Sequence, residues 1–423
     1  MTEYARNWVF PAQVLTVRVR RLRAYRNATS PWRSRLALKE IAAKQRPRSP
    51  IFDPGKSVQP VRSLFCTEKC VPLHESLIDP SSPAWSDFLA QADHDFHHLP
   101  CYQSLSVTSG ETPRAFLASN GEHQLLVPFV QRPIPVEIAG EDGLFDIVSA
   151  YGYPGPVSTR GAPPAFVREG LAAFEAALAE QRIVAGFIRL HTLLNDPGLF
   201  EGIGETVTHG PVVYIDLSKS EDALWADVRS RHVKDIELAK RKFELVVDGW
   251  DRLDDFITCY HESMARVNAG SFYMFSKEYF EGLRDCIGID RIHLCLLLHE
   301  GKVACGTLVT EMNGLCQYHL SGTGDAYMGD RPSKLMLHLL SNYLRARGNR
   351  VFHLGGGVGS ARDSLYLFKS GFSRLNADFC TWRLVGDPER YAALMARWRV
   401  RSGREPIADD AFFPQYRAPI TNE

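Results

Sequence analysis

Val351-Phe352-His353-Leu354-Gly355-Gly356-Gly357-Val358-Gly359 runs through Ser360-Ala361-Arg362 into Asp363-Ser364-Leu365-Tyr366-Leu367-Phe368-Lys369-Ser370-Gly371-Phe372. An apolar run that ends in glycines reads as a strand entering a turn. A dinucleotide-binding turn would need Gly-x-Gly-x-x-Gly opening a long helix near the start of a βαβ unit, with an acid about 20 residues on. Here Gly357-x-Gly359-x-x-Arg362 lacks the third glycine, the next helix is short, and the segment lies late in the chain. A Rossmann reading is therefore rejected. Gly55-Lys56-Ser57 is likewise rejected as a phosphate loop, because the position of the motif's first glycine is Pro50.

The flanking segments define the fold class. Apolar spacing predicts helices at 251–268 and 277–285, then strands at 292–298, 303–311 and 315–321, with Asn313-Gly314 as the last turn. A helix over 333–347 closes at Gly348; a strand over 350–354, a helix over 363–369, a strand over 378–384 and a helix over 387–399 follow. That order is α+β with a mixed, largely antiparallel sheet, not repeated βαβ. Upstream, helices are expected at 83–92 and 164–181 and strands at 114–118, 124–129, 186–192 and 212–217. One helix is expected from Glu221 to Lys242, with Leu224, Val228, His232, Ile236 and Ala239 on one face. Its other face, Arg229, Arg231, Lys234, Lys240, Arg241 and Lys242, is basic.

The chain has 423 residues, 45% hydrophobic and 23% charged, which suits folded domains rather than disorder. Its formal net charge is zero, yet residues 1–60 hold thirteen Lys/Arg against Glu3, Glu40 and Asp53, leaving the remainder acidic. A basic tail of this kind either touches phosphates or is a plain extension. Four prolines between positions 46 and 60 make a linker. No run of about 18 apolar residues exists to span a membrane, and no apolar core for a secretory signal is present, so a cytoplasmic protein is expected. The nine cysteines, several within apolar runs, read as reduced, buried thiols. Cys66-x-x-x-Cys70-x-x-x-His74, with Cys101 as a further ligand, is too loose for zinc, and no metal is expected.

Several pieces then resemble one family in combination. They are Arg231 to Ala239 in the basic helix, Gly301-x-Val303-Ala304, Tyr318-His319-Leu320-Ser321-Gly322, Ala346-Arg347-Gly348, Phe352 to Gly357, and Phe368-Lys369-Ser370-Gly371-Phe372-Ser373. From about Ala223 to Arg399 the chain resembles the acyltransferase domain of the GNAT superfamily, in the branch related to the Fem peptidoglycan-bridge aminoacyltransferases. The turn Tyr151-Gly152-Tyr153-Pro154-Gly155-Pro156 resembles the first domain of such proteins. The resemblance implies two GNAT-like domains, over 61–217 and 218–400, between the basic extension of 1–60 and a tail of 401–423.

It also implies an acyl-transfer centre at Phe368 and Lys369. An ammonium there would stabilise the oxyanion or hold a donor phosphate. Asp363 is a candidate for positioning the acceptor amine. Tyr151, Tyr153, His98 and Tyr318 are candidates for an acceptor pocket, with His97 or His98 assisting proton removal. In CoA-dependent relatives a glycine loop cradles the diphosphate; here Gly322, Gly324 and Arg331 occupy that loop, but Asp325 and Asp330 would repel it. The expected donor is therefore carrier-bound, aminoacyl-tRNA or acyl carrier protein, with Arg229 and Arg231 meeting its phosphates. No cofactor would be held permanently, no DNA bound, and membrane contact would be peripheral at most. Two alternatives are an acyl-CoA-dependent N-acetyltransferase and a degenerate GNAT fold that binds RNA or a membrane.

Overall fold

The order of strands across the sheet reads the same from both edges. This computed structural model describes residues 72–403 and 412–418. The basic extension, the proline linker, Cys66 and Cys70 lie outside those residues. The strands are β1 His74–Ile78, β2 Thr112–Ser119, β3 Gln124–Pro133, β4 Phe145–Val148, β5 Val157–Ser158, β6 Ile183–Arg189 and β7 Glu205–Asp216. They continue with β8 Glu244–Val246, β9 Ile292–His299, β10 Lys302–Met312, β11 Leu315–Thr323, β12 Val351–Gly355 and β13 Asn376–Val385. The helices are α1 Pro83–Gln91, α2 Pro100–Leu105, α3 Val136–Ala139, α4 Pro164–Glu180, α5 Glu221–Asp227 and α6 Ser230–Ala239. After them come α7 Leu253–Arg266, α8 Lys277–Ile287, α9 Pro332–Ala346, α10 Ser364–Lys369 and α11 Pro388–Ser402.

One sheet runs β1-β2-β3-β4-β6-β13-β7-β12-β11-β10-β9-β8, with β5 beside β3. It is two copies of one motif: strand, two helices, strands, crossover helix, strand, final strand. The final strands are exchanged. β7, from the first copy, pairs with β12, and β13, from the second, pairs with β6. β7 and β13 pair with each other at the centre. Only β4–β6 and β11–β12 are parallel, and each is bridged by a helix, α4 or α9. The class is the expected α+β with a mixed, largely antiparallel sheet, in two GNAT-like copies.

Packing fixes the exchange. Trp382 of β13 is fully buried in the first copy's core, against Phe174 and Phe200, and its Nε1 donates to the Ile203 carbonyl at 2.7 Å. Val213 and Ile215 of β7 are buried in the second copy's core with Phe352 and Leu340. The α4 face that meets the sheet is Phe166, Leu171, Phe174 and Leu178, spaced at three to five residues.

Two expectations are corrected. The helix expected over Glu221–Lys242 is broken: Val228 and Arg229 are extended, and the Arg229 amide donates to the Gly371 carbonyl at 2.8 Å. The break lets α6 start against the end of α10. Nor are all the cysteines thiols: Cys101 of α2 and Cys286 of α8 form a disulfide between the copies. That removes Cys101 from any zinc set. Cys259, Cys295, Cys305, Cys316 and Cys380 are free and buried. No helix among the described residues is long and apolar enough to cross a membrane.

Candidate functional site

β11 and β12 pair at only three positions, from Leu315–Val351 to Gln317–His353. Beyond them the strands part, because β12 turns away at Gly355, whose φ of +78° favours glycine. Strand alternation then sorts the side chains. Phe352 and Leu354 enter the core under α9, whereas His353 faces the other way. Tyr318 packs against Phe352, while Gln317 and His319 join His353's side.

Lys369, at the end of α10, reaches this opening. It is 8% exposed, and its Nζ donates to the Gly356 carbonyl at 2.7 Å. Burial lowers its ammonium to about 8, with Asp363 working in the opposite direction. A Cβ at Gly355 would lie 3.2 Å from Lys369 Nζ and 3.8 Å from Tyr153 Oη, so both head groups meet above this glycine. Tyr153 comes from the first copy, between β4 and α4. Its ring lies edge-on to His353 and His97, at centroid distances of 4.9 and 5.8 Å.

Behind Tyr153 is a buried polar network centred on Asp95. Its carboxylate accepts from His97 Nδ1 at 2.9 Å, His191 Nε2 at 3.2 Å and Gln317 Nε2 at 2.8 Å. Burial alone would raise its pKa, but His97 and His191 together hold it well below the usual carboxylate range. Burial also lowers His191, puts His353 well below its ordinary value and takes His319 down to about 3, so these rings are neutral. His353 Nε2 pairs with Thr192 Oγ1 at 2.9 Å. His319 Nε2 is buried and has no partner among the described residues.

The sequence-derived candidates divide. Lys369 and Tyr153 come together. Tyr151 lies near them but faces Phe272 and Tyr273, and its carbonyl accepts from Tyr102 Oη. His98 is consumed by the fold: Nδ1 accepts from the Asp95 amide and Nε2 donates to the Gly155 carbonyl. Asp363 caps α10, its two oxygens taking the Tyr366 and Val358 amides at 2.9 and 3.0 Å, so neither is directed at an acceptor. Phe368 packs on His232 and Phe372. Tyr318 is on the opposite face of β11 from His319. The sequence places Asp95 and His97 in one loop, but nothing in it joins them to His191, Gln317 and His353.

The loop expected to meet a donor's phosphates is occupied by protein contacts. Gly322 is where α7 crosses β11: a Cβ there would lie 2.4 Å from the Tyr260 Cα. Gly324 begins the turn before α9. Arg331 and Lys334, at the start of α9, both bond Asp235 at 2.6 Å. Asp325 pairs with Arg266 and Asp330 with Lys242. In contrast Arg229, Arg231, Lys234 and Arg241 are exposed with no acidic partner among the described residues.

Residues 227–363 match the family model described as Acetyltransferase (GNAT) domain, so the second copy carries a GNAT acetyltransferase domain. The chain is in this coarse sense a GNAT-type acyltransferase. Its fold is similar to that of FemX, at 12% identity and a TM-score of 0.55, over 74% of this chain and 95% of that one. L-PGS from Bacillus licheniformis is similar at 14% identity and a TM-score of 0.45, over 76% and 96%. A tandem GNAT protein from the clavulanic acid biosynthesis pathway is similar at 12% identity and 0.44, over 75% and 99%. No curated protein matches the sequence.

Proposed function

We propose that this protein transfers an acyl or aminoacyl group from a macromolecular carrier to an amine, with Lys369 as the oxyanion-stabilising catalytic residue. The observation that carries the reading is the buried Lys369 ammonium at the mouth between β11 and β12, facing Tyr153 across Gly355. At neutral pH, below the value of about 8, the group is mostly charged. A cation held in a water-poor site by a fixed carbonyl contact stabilises developing negative charge without reorganising. Tyr153 Oη supplies a second donor at the same point.

The carrier reading rests on charge. A CoA diphosphate at the start of α9 would face Asp235, which already engages Arg331 and Lys334. Among the described residues, Arg229, Arg231, Lys234 and Arg241 cluster on α6 and its flanks without an acidic partner, next to the end of α10, where Arg229 contacts the Leu367 carbonyl. An exposed basic face beside the transfer centre suits the phosphates of a tRNA or of a carrier protein's prosthetic arm. The test is to incubate the full chain with alanyl-tRNA, acyl carrier protein bearing an acyl group, and acetyl-CoA separately, each with an amine, and to follow carrier deacylation. Turnover with acetyl-CoA alone would assign CoA as donor.

A further inference from the structure

Lys369 answers for the oxyanion but leaves the acceptor's proton without a destination. Among the groups lining the site, His353 Nε2 is taken by Thr192, His191 Nε2 by Asp95, and both nitrogens of His98 by backbone. His97 differs. It is 2% exposed, its Nδ1 is 2.9 Å from both oxygens of the buried Asp95, and its Nε2 has no partner among the described residues. A carboxylate only accepts, so Nδ1 must donate, which leaves the lone pair of the neutral ring on Nε2. Asp95 is itself fixed by the His97 amide and Gln317. Gln103 Nε2 holds the His97 carbonyl at 2.6 Å.

The free edge of the ring faces the Gly152–Tyr153 turn. A Cβ at Gly152 would lie 2.0 Å from His97 Nε2, and its φ is +97°, so the ring can pack this closely on the turn only because the residue is glycine. The same turn carries Tyr153 to the Lys369 mouth. The base and the oxyanion donor therefore flank one aromatic side chain.

We infer that Asp95 and His97 form the general-base dyad that takes the acceptor's proton, with Gly152 giving the ring room to seat against the turn that carries Tyr153. The inference rests on the acyltransferase reading above. His97 Nε2 removes a proton from the acceptor ammonium, freeing the lone pair that forms the C–N bond to the acyl carbonyl. The bond from that carbon to the carrier's oxygen or sulfur breaks with its electron pair, which takes the second amine proton. His97 returns its own proton to solvent. His97 is a catalytic residue in this scheme, and Asp95 is a positioning residue acting through it.

The experiment compares two acceptors in the full chain, with whichever of the three donors above is consumed. Ethanolamine is protonated at pH 7 and needs a base; hydroxylamine is already neutral there. His97→Gln should lower transfer to ethanolamine by ~100-fold or more, the usual scale for general-base catalysis, and leave hydroxylamine within about 10-fold. Equal loss on both acceptors, or on neither, overturns the dyad. Gly152→Ala should follow His97→Gln for ethanolamine. Should the unaltered chain consume no donor with either amine, the acyltransferase reading fails, and nitrogen NMR of the histidine rings still decides the dyad. A neutral, Nδ1-protonated His97 that loses this form in Asp95→Asn supports it; an Nε2-protonated His97 overturns it.

Discussion

Tyr153 and His353 meet edge to face with ring centroids 4.9 Å apart, one from the first copy and the other from the second. The contact is a seam of the site. Tyr153 brings the hydroxyl near Lys369, and His353 ends the short parallel pairing that opens the mouth. Neither copy alone holds Lys369, Tyr153 and Asp95 together. In the proposed mechanism, turnover is thereby tied to the docking of the copies, which exchange β7 and β13.

Lys369→Met should abolish most turnover while leaving the fold intact. Losing one donor of this type from an oxyanion site costs ~10²- to 10³-fold in rate. The unaltered enzyme should lose activity as pH rises past about 8, where the buried ammonium gives up its proton. Stability moves in the opposite sense. Between about 8 and the ordinary 10.5 the folded state binds fewer protons than the unfolded one, so this group makes stability rise with pH across that window. Thermal melts of the two proteins from pH 7 to pH 10 check both signs: the gap in favour of Lys369→Met should shrink as pH rises.

Gly355→Ala tests the mouth from below. The residue sits at φ +78°, and the new methyl would lie 3.2 Å from Lys369 Nζ. Strain of ~1–3 kcal/mol is expected, with the lysine displaced from the Gly356 carbonyl. Activity should fall far more than stability, and the alkaline limb of the rate profile should move because the ammonium's surroundings change. Unchanged kinetics would remove Gly355 from the site.

Tyr153→Phe separates the hydroxyl from the ring. The ring packs against His353, His97 and Phe379, so Phe should preserve folding. Turnover should drop by about tenfold, as for one weakened neutral hydrogen bond. Tyr153→Ala removes the packing as well and should lower stability where Tyr153→Phe does not. Denaturant unfolding beside steady-state rates distinguishes the two losses.

Much of the architecture was legible in the sequence, because period and punctuation are local. The strand at Val351–Gly355, the helix ending at Lys369 and the Asn313-Gly314 turn all fall where spacing puts them. Helix α6 did not: the alternating faces of 221–242 continue smoothly through Val228 and Arg229, and only the tertiary bond from Arg229 to Gly371 breaks the helix there. Lys369 and Tyr153 stand in motifs of the sequence, and the structure brings their head groups together above Gly355. The Asp95 network was not legible, because its carboxylate gathers His191 and Gln317 from 96 and 222 residues away. Asp363 read as a site acid although its spacing to Tyr366 is that of a helix cap.

The Cys101–Cys286 bond closes a loop of 185 residues in sequence separation and joins α2, which carries Tyr102 and Gln103, to α8. Chain-entropy arguments give ~5 kcal/mol for closing a loop of this size. Cys286→Ser should lower the melting temperature measurably under non-reducing conditions, and a reductant should bring the unaltered chain to the same value. Mass analysis before and after alkylation checks that the bond is present.

Trp382→Ala tests whether the copies fold as one. The side chain is fully buried, yet it belongs to β13, the last strand of the second copy, while its contacts Phe174, Phe200 and Ile203 belong to the first. Emptying the site should cost ~3–5 kcal/mol and leave the Ile203 carbonyl without its indole donor. If the copies were independent, that loss would unfold the first and spare the second. Because β7 lies between β13 and β12, a defect in one core pulls on the strand that completes the other. A single unfolding transition, shifted as a whole and reported identically by far-ultraviolet dichroism and tryptophan fluorescence, is the expected result. Two separated transitions would show that the exchanged strands do not couple the halves.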